Sequence, residues 1–305
     1  MRKNWRLVTM QNTVKLVITC SALVLSASLF AQSTVTVYSQ NAAPGDLYMN
    51  PGSTNQGYDF TRPNWRYNNV RGGGQVGIRT NYPRSGNGSV YFNSSSNSAK
   101  ADIEYFADPV NAGGNFAPNP LNPASLLGTL NQLTHLSYEW YRDSSSTTLN
   151  YLHPVLRLGI LRVNSDNSTN IGYLIFERAY NQGTSAVPTD QWVSEDIFAS
   201  NYKLLATASL GFGDPNVNLS AVLKTIPEWL TAASNANATL YVISVNAGFG
   251  SGWTNTFQGA VDNITFGFNG QYTTYNFEVV PEPASMLALG SGLVSLMALR
   301  RRRKA

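Results

Sequence analysis

The chain is poor in the residues that carry most enzymatic and metal chemistry. Among its 305 residues there are one cysteine, Cys20, and two histidines, and only 12% are Asp, Glu, Lys or Arg. A single cysteine excludes a disulfide framework and a cysteine-built zinc site. His135 and His153 are not in a metal-ligand spacing and read as surface or structural groups. No Gly-x-Ser-x-Gly elbow occurs, and the Ser, His and Asp residues fall in no triad context. Gly72-Gly73-Gly74 lacks the lysine of a phosphate-binding loop and any helix pattern after it, so it reads as a flexible turn.

What is present lies first at the two ends. Met1-Arg2-Lys3-Asn4-Trp5-Arg6 is a basic start, and an apolar run follows from Leu16 to Phe30. A basic n-region, a short h-region and small residues at its end define a secretory signal peptide over residues 1–31, with cleavage expected after Ala31 or at Ser28. The run is short for a spanning helix, which needs roughly 20 residues. Cys20 follows Val17-Ile18-Thr19, which lacks the small residues of a lipidation site, so it is an ordinary residue of the leader. The mature chain is then cysteine-free, and its stability must come from core burial.

At the other end, Val280-Pro281-Glu282-Pro283 precedes an apolar run, Ala284 to Leu299, and then Arg300-Arg301-Arg302-Arg303-Lys304. The two prolines disfavour helix and predict an extended, accessible stalk. The 16 apolar residues are only marginally long enough to cross a bilayer. The arginines belong on the cytoplasmic side. This order of parts closely resembles the PEP-CTERM sorting signal of Gram-negative bacteria. The resemblance covers only the tail, residues 280–305. It implies that Pro281, Glu282 and Pro283 are the recognition motif, that Arg300, Arg301, Arg302 and Arg303 form the stop-transfer cluster, and that an exosortase removes the tail.

Charge must therefore be read by segment. The formal charge of +4 comes from 21 basic and 17 acidic residues. The leader holds Arg2, Lys3, Arg6 and Lys15, and the tail holds five basic residues with Glu282. The 12 basic and 16 acidic residues between them leave the ectodomain, residues 32–279, at about −4. A nucleic-acid binder would keep a basic surface after processing, so none is expected as a partner.

The ectodomain is rich in Asn, Ser, Thr, Gly and Tyr, as befits an exported β-rich protein. Leu136, Tyr138 and Trp140 alternate with Ser137, Glu139 and Tyr141, the pattern of a half-buried strand. The runs Val155 to Val163 and Ile171 to Arg178, joined by a polar Asn/Ser insert, predict an antiparallel hairpin. Residues 88–93, 99–106, 191–197, 239–245 and 260–268 predict further strands, and 34–38 reads as strand-like. Asn111 to Pro123 has loop composition. One helix is expected over 219–232, capped by Asn218 or Ser220 and disturbed at Pro227. Many strands with polar connections predict an all-β, antiparallel two-sheet sandwich of jelly-roll type.

Candidate chemistry is sparse. Asp102 and Glu104 share one strand face but do not form a glycosidase motif, and are expected to be solvated. Glu195 and Asp196, being adjacent, should point opposite ways. Calcium is the one cofactor considered, with Asp262 and Asn263, or Asp166, as oxygen donors. Tyr58, Trp65, Tyr67 and Trp253 sit in Gly/Asn-rich stretches as candidate glycan-stacking rings, while Trp140, Trp192 and Trp229 are assigned to the core.

These observations predict an exported cell-surface or matrix protein, non-enzymatic, with exopolysaccharide as candidate ligand. Its partners would be the secretion machinery, an exosortase and, transiently, the inner membrane. A secreted jelly-roll glycan-cleaving enzyme and a purely structural envelope protein are the alternatives.

Overall fold

A computed structural model describes residues 32–59, 64–94, 96–107, 122–250, 252–282 and 290–291. The leader, Pro283 and Arg300 to Arg303 lie outside the described residues, as does the proline-punctuated stretch up to residue 121. The strands in chain order are β1 (Gln32–Ala42), β2 (Tyr48–Asn50), β3 (Gln56–Asp59), β4 (Trp65–Arg71), β5 (Gly74–Arg79), β6 (Ser89–Ser94), β7 (Lys100–Phe106), β8 (Gly128–Thr129) and β9 (Leu133–Arg142). They continue with β10 (Val155–Asn164), β11 (Thr169–Phe176), β12 (Trp192–Asp196), β13 (Leu204–Ala206), β14 (Leu223–Lys224), β15 (Ala238–Phe249), β16 (Phe257–Phe268) and β17 (Gln271–Val280).

These strands form two sheets, a two-sheet sandwich of jelly-roll type. The first runs β1-β17-β16-β6-β5-β2, with β9 along the other side of β16 and β12 beyond it. The second runs β14-β13-β11-β10-β15-β7-β4-β3, with β8 beside β15. Pairing is antiparallel except at one edge, where β1 lies parallel to β17. Aromatic rings knit the sheets together face to face. Trp65 of β4 meets Phe277 of β17 at 4.9 Å, and Tyr105 of β7 meets Phe266 of β16 at 5.1 Å. Phe92 of β6 meets Phe249 of β15 at 6.0 Å, edge to face.

Alternation places β9 as expected: Leu136, Tyr138 and Trp140 are buried, while Ser137, Glu139 and Tyr141 are half-exposed. Strands β10 and β11 form the expected antiparallel hairpin. Asn167 takes a left-handed φ of 63° in its turn, and Asp166 Oδ1 accepts from the Ser168 N–H at 2.9 Å. Gly72 and Gly73, both at positive φ, form the tight turn between β4 and β5.

The expected helix is shifted. Leu219–Ala221 is a 3-10 turn capped by Asn218, β14 follows, and α2 (Ile226–Asn235) begins only at Ile226; a short helix, α1 (Ala179–Gln182), precedes it between β11 and β12. Thr225 and Glu228 form a reciprocal capping box at the start of α2. Pro227 therefore stands in the first turn, where its missing N–H has no intrahelical role, and does not interrupt the helix. Trp192 also departs from expectation. It is half-buried on β12, next to Tyr141, because among the described strands none pairs with the outer side of β12.

Strand β16 is a fork. Its first half pairs with β6 and its second half with β17, on the same side. The register shift falls between Asp262 and Thr265, where Asn263 takes φ 48°. The gap leaves backbone donors without strand partners, and side chains satisfy them. Asp262 Oδ1 accepts the N–H groups of Asn263 at 2.8 Å and Phe277 at 2.9 Å.

Candidate functional site

The face of the second sheet turned away from the inter-sheet core carries a polar row that is nearly dry. On β10, Arg157 alternates with the core residues Leu156 and Leu158. Neighbouring strands place Asp102 and Glu104 (β7), Ser244 and Asn246 (β15) and Arg66 (β4) in the same row, all buried. The Arg157 guanidinium donates to Asp102 Oδ1 at 2.7 Å and to Asn246 Oδ1 at 3.1 Å. Asn69 donates to Asp102 Oδ2 at 2.8 Å, and Lys100 Nζ stands 3.8 Å from that oxygen. Glu104 accepts from Asn68 at 2.6 Å and from Asn246 at 3.3 Å.

Burial shapes the charges of this row. It works against the Arg157 cation, but the Asp102 carboxylate outweighs it and the guanidinium pKa lies above its ordinary value. Burial raises the Glu104 carboxyl, and the Glu104 charge is in turn the largest cause raising the Tyr173 hydroxyl. Lys100 is held below the usual lysine value, chiefly by desolvation. Expecting Asp102 and Glu104 to be solvated was therefore wrong. They share a face as the alternation predicts, but that face is covered and each carboxylate is held by amides or cations.

One end of the row opens into a cleft of about 660 Å³. Its lining includes Arg157, Lys100 and Glu177 together with the rings of Tyr151, Tyr180 and Trp253. Leu149 and Leu219 stand exposed at its margin, an apolar rim beside polar groups. Burial raises the Glu177 carboxyl above the ordinary range. Two other clefts are described, one of about 360 Å³ at the edge of the first sheet and one of about 650 Å³ around Arg71 and Asn97. The first has aromatic rings but no charged side chain in its lining, and the second has Arg71 but no ring.

The structure separates the four candidate stacking rings. Trp253 lines the cleft, although it is 8% exposed and packs edge-on against Phe257 at 4.9 Å. Trp65 and Tyr67, expected in a loop, lie on β4 and are buried in the core. The Tyr67 hydroxyl donates to Asp46 at 2.8 Å and accepts from the Ile78 N–H at 2.9 Å, so it ties three segments together. Tyr58 is half-buried on β3, 4.5 Å from Tyr48. The loop reading of β3 and β4 failed because their Gly and Asn residues serve bulges and a turn inside a paired region.

Tyr151 and Tyr180 were missed. One precedes β10 in a loop and the other sits on α1, and only the hairpin β10–β11 brings them to one cleft. Glu195 is buried and Asp196 exposed, pointing opposite ways as expected. Glu139 lies on the first sheet, paired with Arg84 at 2.8 Å, away from Asp102 and Glu104. His153 is buried, stacked 4.3 Å from Trp140, and His135 stacks on Tyr272 at 3.8 Å. Among the described residues, no group of three His, Cys, Asp or Glu is placed to hold a metal.

The sorting motif begins where the sandwich ends. Pro281 and Glu282 are exposed and follow β17 directly, without an intervening linker. Residues 279–303 match the family model of the PEP-CTERM protein-sorting motif. That motif implies an exported protein, processed at the membrane by an exosortase. None of the curated proteins matches the chain. Among solved structures, a carbohydrate-binding module described as of the β-sandwich superfamily aligns at 12% identity and a TM-score of 0.27, over 75% of this chain and 63% of its own length. The chain thus spans somewhat less than two thirds of that structure. A family 11 carbohydrate-binding module from Clostridium thermocellum, in complex with a mixed-linked tetrasaccharide, aligns at 11% identity and a TM-score of 0.32, covering 68% of this chain and 93% of its own. A xylan-binding domain from Paenibacillus barcinonensis aligns at 12% identity and 0.25, over 72% and 97%. Likeness at this level carries no argument about ligand.

Proposed function

We propose that the protein is a non-enzymatic surface or matrix component that holds a polysaccharide in the cleft beside Arg157. The observation that carries this reading is the joining of aromatic rings, chiefly Tyr151 and Tyr180 with Trp253 behind them, and the charged groups Arg157, Lys100 and Glu177 in the lining of one cleft. A pyranose ring has an apolar C–H face that stacks on such rings and hydroxyls that bond to Lys, Glu and amide groups. The charged part of the lining is preorganised, because the 2.7 Å bond to Asp102 fixes the Arg157 side chain before any ligand arrives. The same bond argues against glycan cleavage, which needs two available carboxyl groups astride the scissile linkage. Asp102 and Glu104 are both held in the buried row.

Affinity electrophoresis of the purified chain through gels containing soluble acidic or neutral polysaccharides tests the reading, with a glycan array to widen the panel. Retardation by at least one polysaccharide is expected. Tyr151→Ala and Tyr180→Ala should each weaken it roughly tenfold, or about 1.4 kcal/mol. A chain that no glycan retards would instead be the purely structural component. Tail removal is checked separately by mass spectrometry of the cell-surface form. The mature C-terminus is expected upstream of Arg300, and recovery of peptides spanning Arg300 to Lys304 would refute processing.

A further inference from the structure

Among the described residues, the fork in β16 holds three buried oxygen atoms without a hydrogen-bond partner. Asp262 is fully buried and Glu278 is 7% exposed. Asp262 Oδ1 closes the backbone gap, yet Oδ2 has no hydrogen-bond partner. Glu278 Oε2 accepts the N–H groups of Asn87 at 2.5 Å and Gly88 at 2.9 Å, yet Oε1 has none. Asn276 Oδ1, two positions from Glu278 on β17 and so on the same face, is likewise unpaired. A buried carboxylate oxygen left in this state costs free energy, and the two carboxyl groups also act on each other's charge.

Among the described residues, no cation is ion-paired with either carboxylate. Arg84, the cation on the adjacent loop, is paired with Glu139, and Asn263 donates its amide to Glu139 and Ser85. Burial holds the Asp262 carboxyl up at about 7, and the Glu278 charge adds to the rise, while nearby backbone N–H groups oppose it. The loop is shaped to approach closely. A Cβ at Gly86 would collide with the Glu278 carboxylate, and one at Gly88 with the backbone of Glu278 and Val279.

We propose that this fork binds a hard divalent cation of the calcium class, through Asp262 Oδ2 and Glu278 Oε1, with Asn276 Oδ1 beside them. The donors are all oxygen, which suits calcium and excludes the softer metals that favour thiolate or imidazole. Two carboxylates with neutral oxygens and water make a weak site, with a dissociation constant of roughly 10⁻⁴–10⁻³ M, as in extracellular modules. The cation ties β16, β17 and the loop at Gly86 together just before β17 passes into Pro281 and Glu282. Asn263, which the sequence coupled with Asp262, spends its side-chain N–H groups on Ser85 and Glu139 and so holds the loop against β9.

The test is thermal unfolding of the purified chain at pH 7.5 in EDTA and in about 10 mM calcium chloride, with direct calcium binding by equilibrium dialysis. Calcium should raise the Tm by several degrees, roughly 3–10 °C, and one ion should bind per chain. Asp262→Asn and Glu278→Gln should each abolish that rise. The unaltered chain is the primary measurement, so a variant that fails to fold does not obscure the result. No calcium-dependent rise in the parent, or an equal rise in both folded variants, overturns the proposal.

Discussion

Arg157→Met is expected to destabilise the fold by roughly 3–5 kcal/mol, the usual cost of stripping one partner from a buried ion pair. The Asp102 carboxylate would keep the Asn69 bond at 2.8 Å but lose its cation, and Asn246 would lose a donor. Lys100, at 3.8 Å, is too far to replace a 2.7 Å charge-assisted bond. Adding Asp102→Asn to Arg157→Met should recover most of the loss, because the buried charge is then gone from both sides. Urea unfolding of the parent, the two single variants and the double variant checks this. A double variant as unstable as the sum of the singles would mean that packing, and not charge, governs the row.

His153 should make the protein acid-sensitive by a comparable amount. Its ring accepts the Arg178 N–H on Nε2 at 3.3 Å and pairs through Nδ1 with the Pro154 carbonyl at 2.9 Å, an arrangement that suits the neutral ring. Burial, with Arg178 and Arg142 nearby, pushes its pKa down from 6.5 to about 3. Between those values the unfolded chain binds a proton that the folded chain refuses. Stability therefore falls as pH drops through that window, by about 4–5 kcal/mol in full. Glu104, Glu177 and Glu195, raised by burial, act with the opposite sign, since they take up protons more readily when folded. The contrast between parent and His153→Gln isolates the histidine. Unfolding free energies at pH 7 and near pH 4 should fall further in the parent than in the variant; an equal fall in both would show that His153 does not govern the acid response.

Legibility followed the range of the interactions. The alternation of β9 and the hairpin of β10 and β11 were readable because period-two burial and a polar turn are local properties. Strands β2 to β5 were not readable. Their Asn and Gly residues resemble a loop until the partner strands are in place, so from the sequence Trp65 and Tyr67 read as candidate stacking rings in a loop. The helix α2 was displaced because Pro227 reads as a breaker until Thr225 and Glu228 are seen to cap a helix that starts around it.

The cleft and the fork needed still more. Arg157 reaches Asp102 across 55 positions of sequence, and Phe277 meets Asp262 across a register shift that no periodicity announces. The ends of the chain are the opposite case. A sorting tail is read as a linear segment, so Pro281-Glu282-Pro283, the apolar run and the arginines carried their meaning by order and composition alone. The sequence by itself determined that the protein carries an export-sorting tail, that its body is a β-sandwich, and that its positive charge belongs to the segments at its ends. Only the tertiary structure decided which carboxylates are paired, which rings face a cleft and where oxygens are left unsatisfied. Those properties depend on strands brought together from distant parts of the chain, and burial sets their strength only once the sheets have closed on one another.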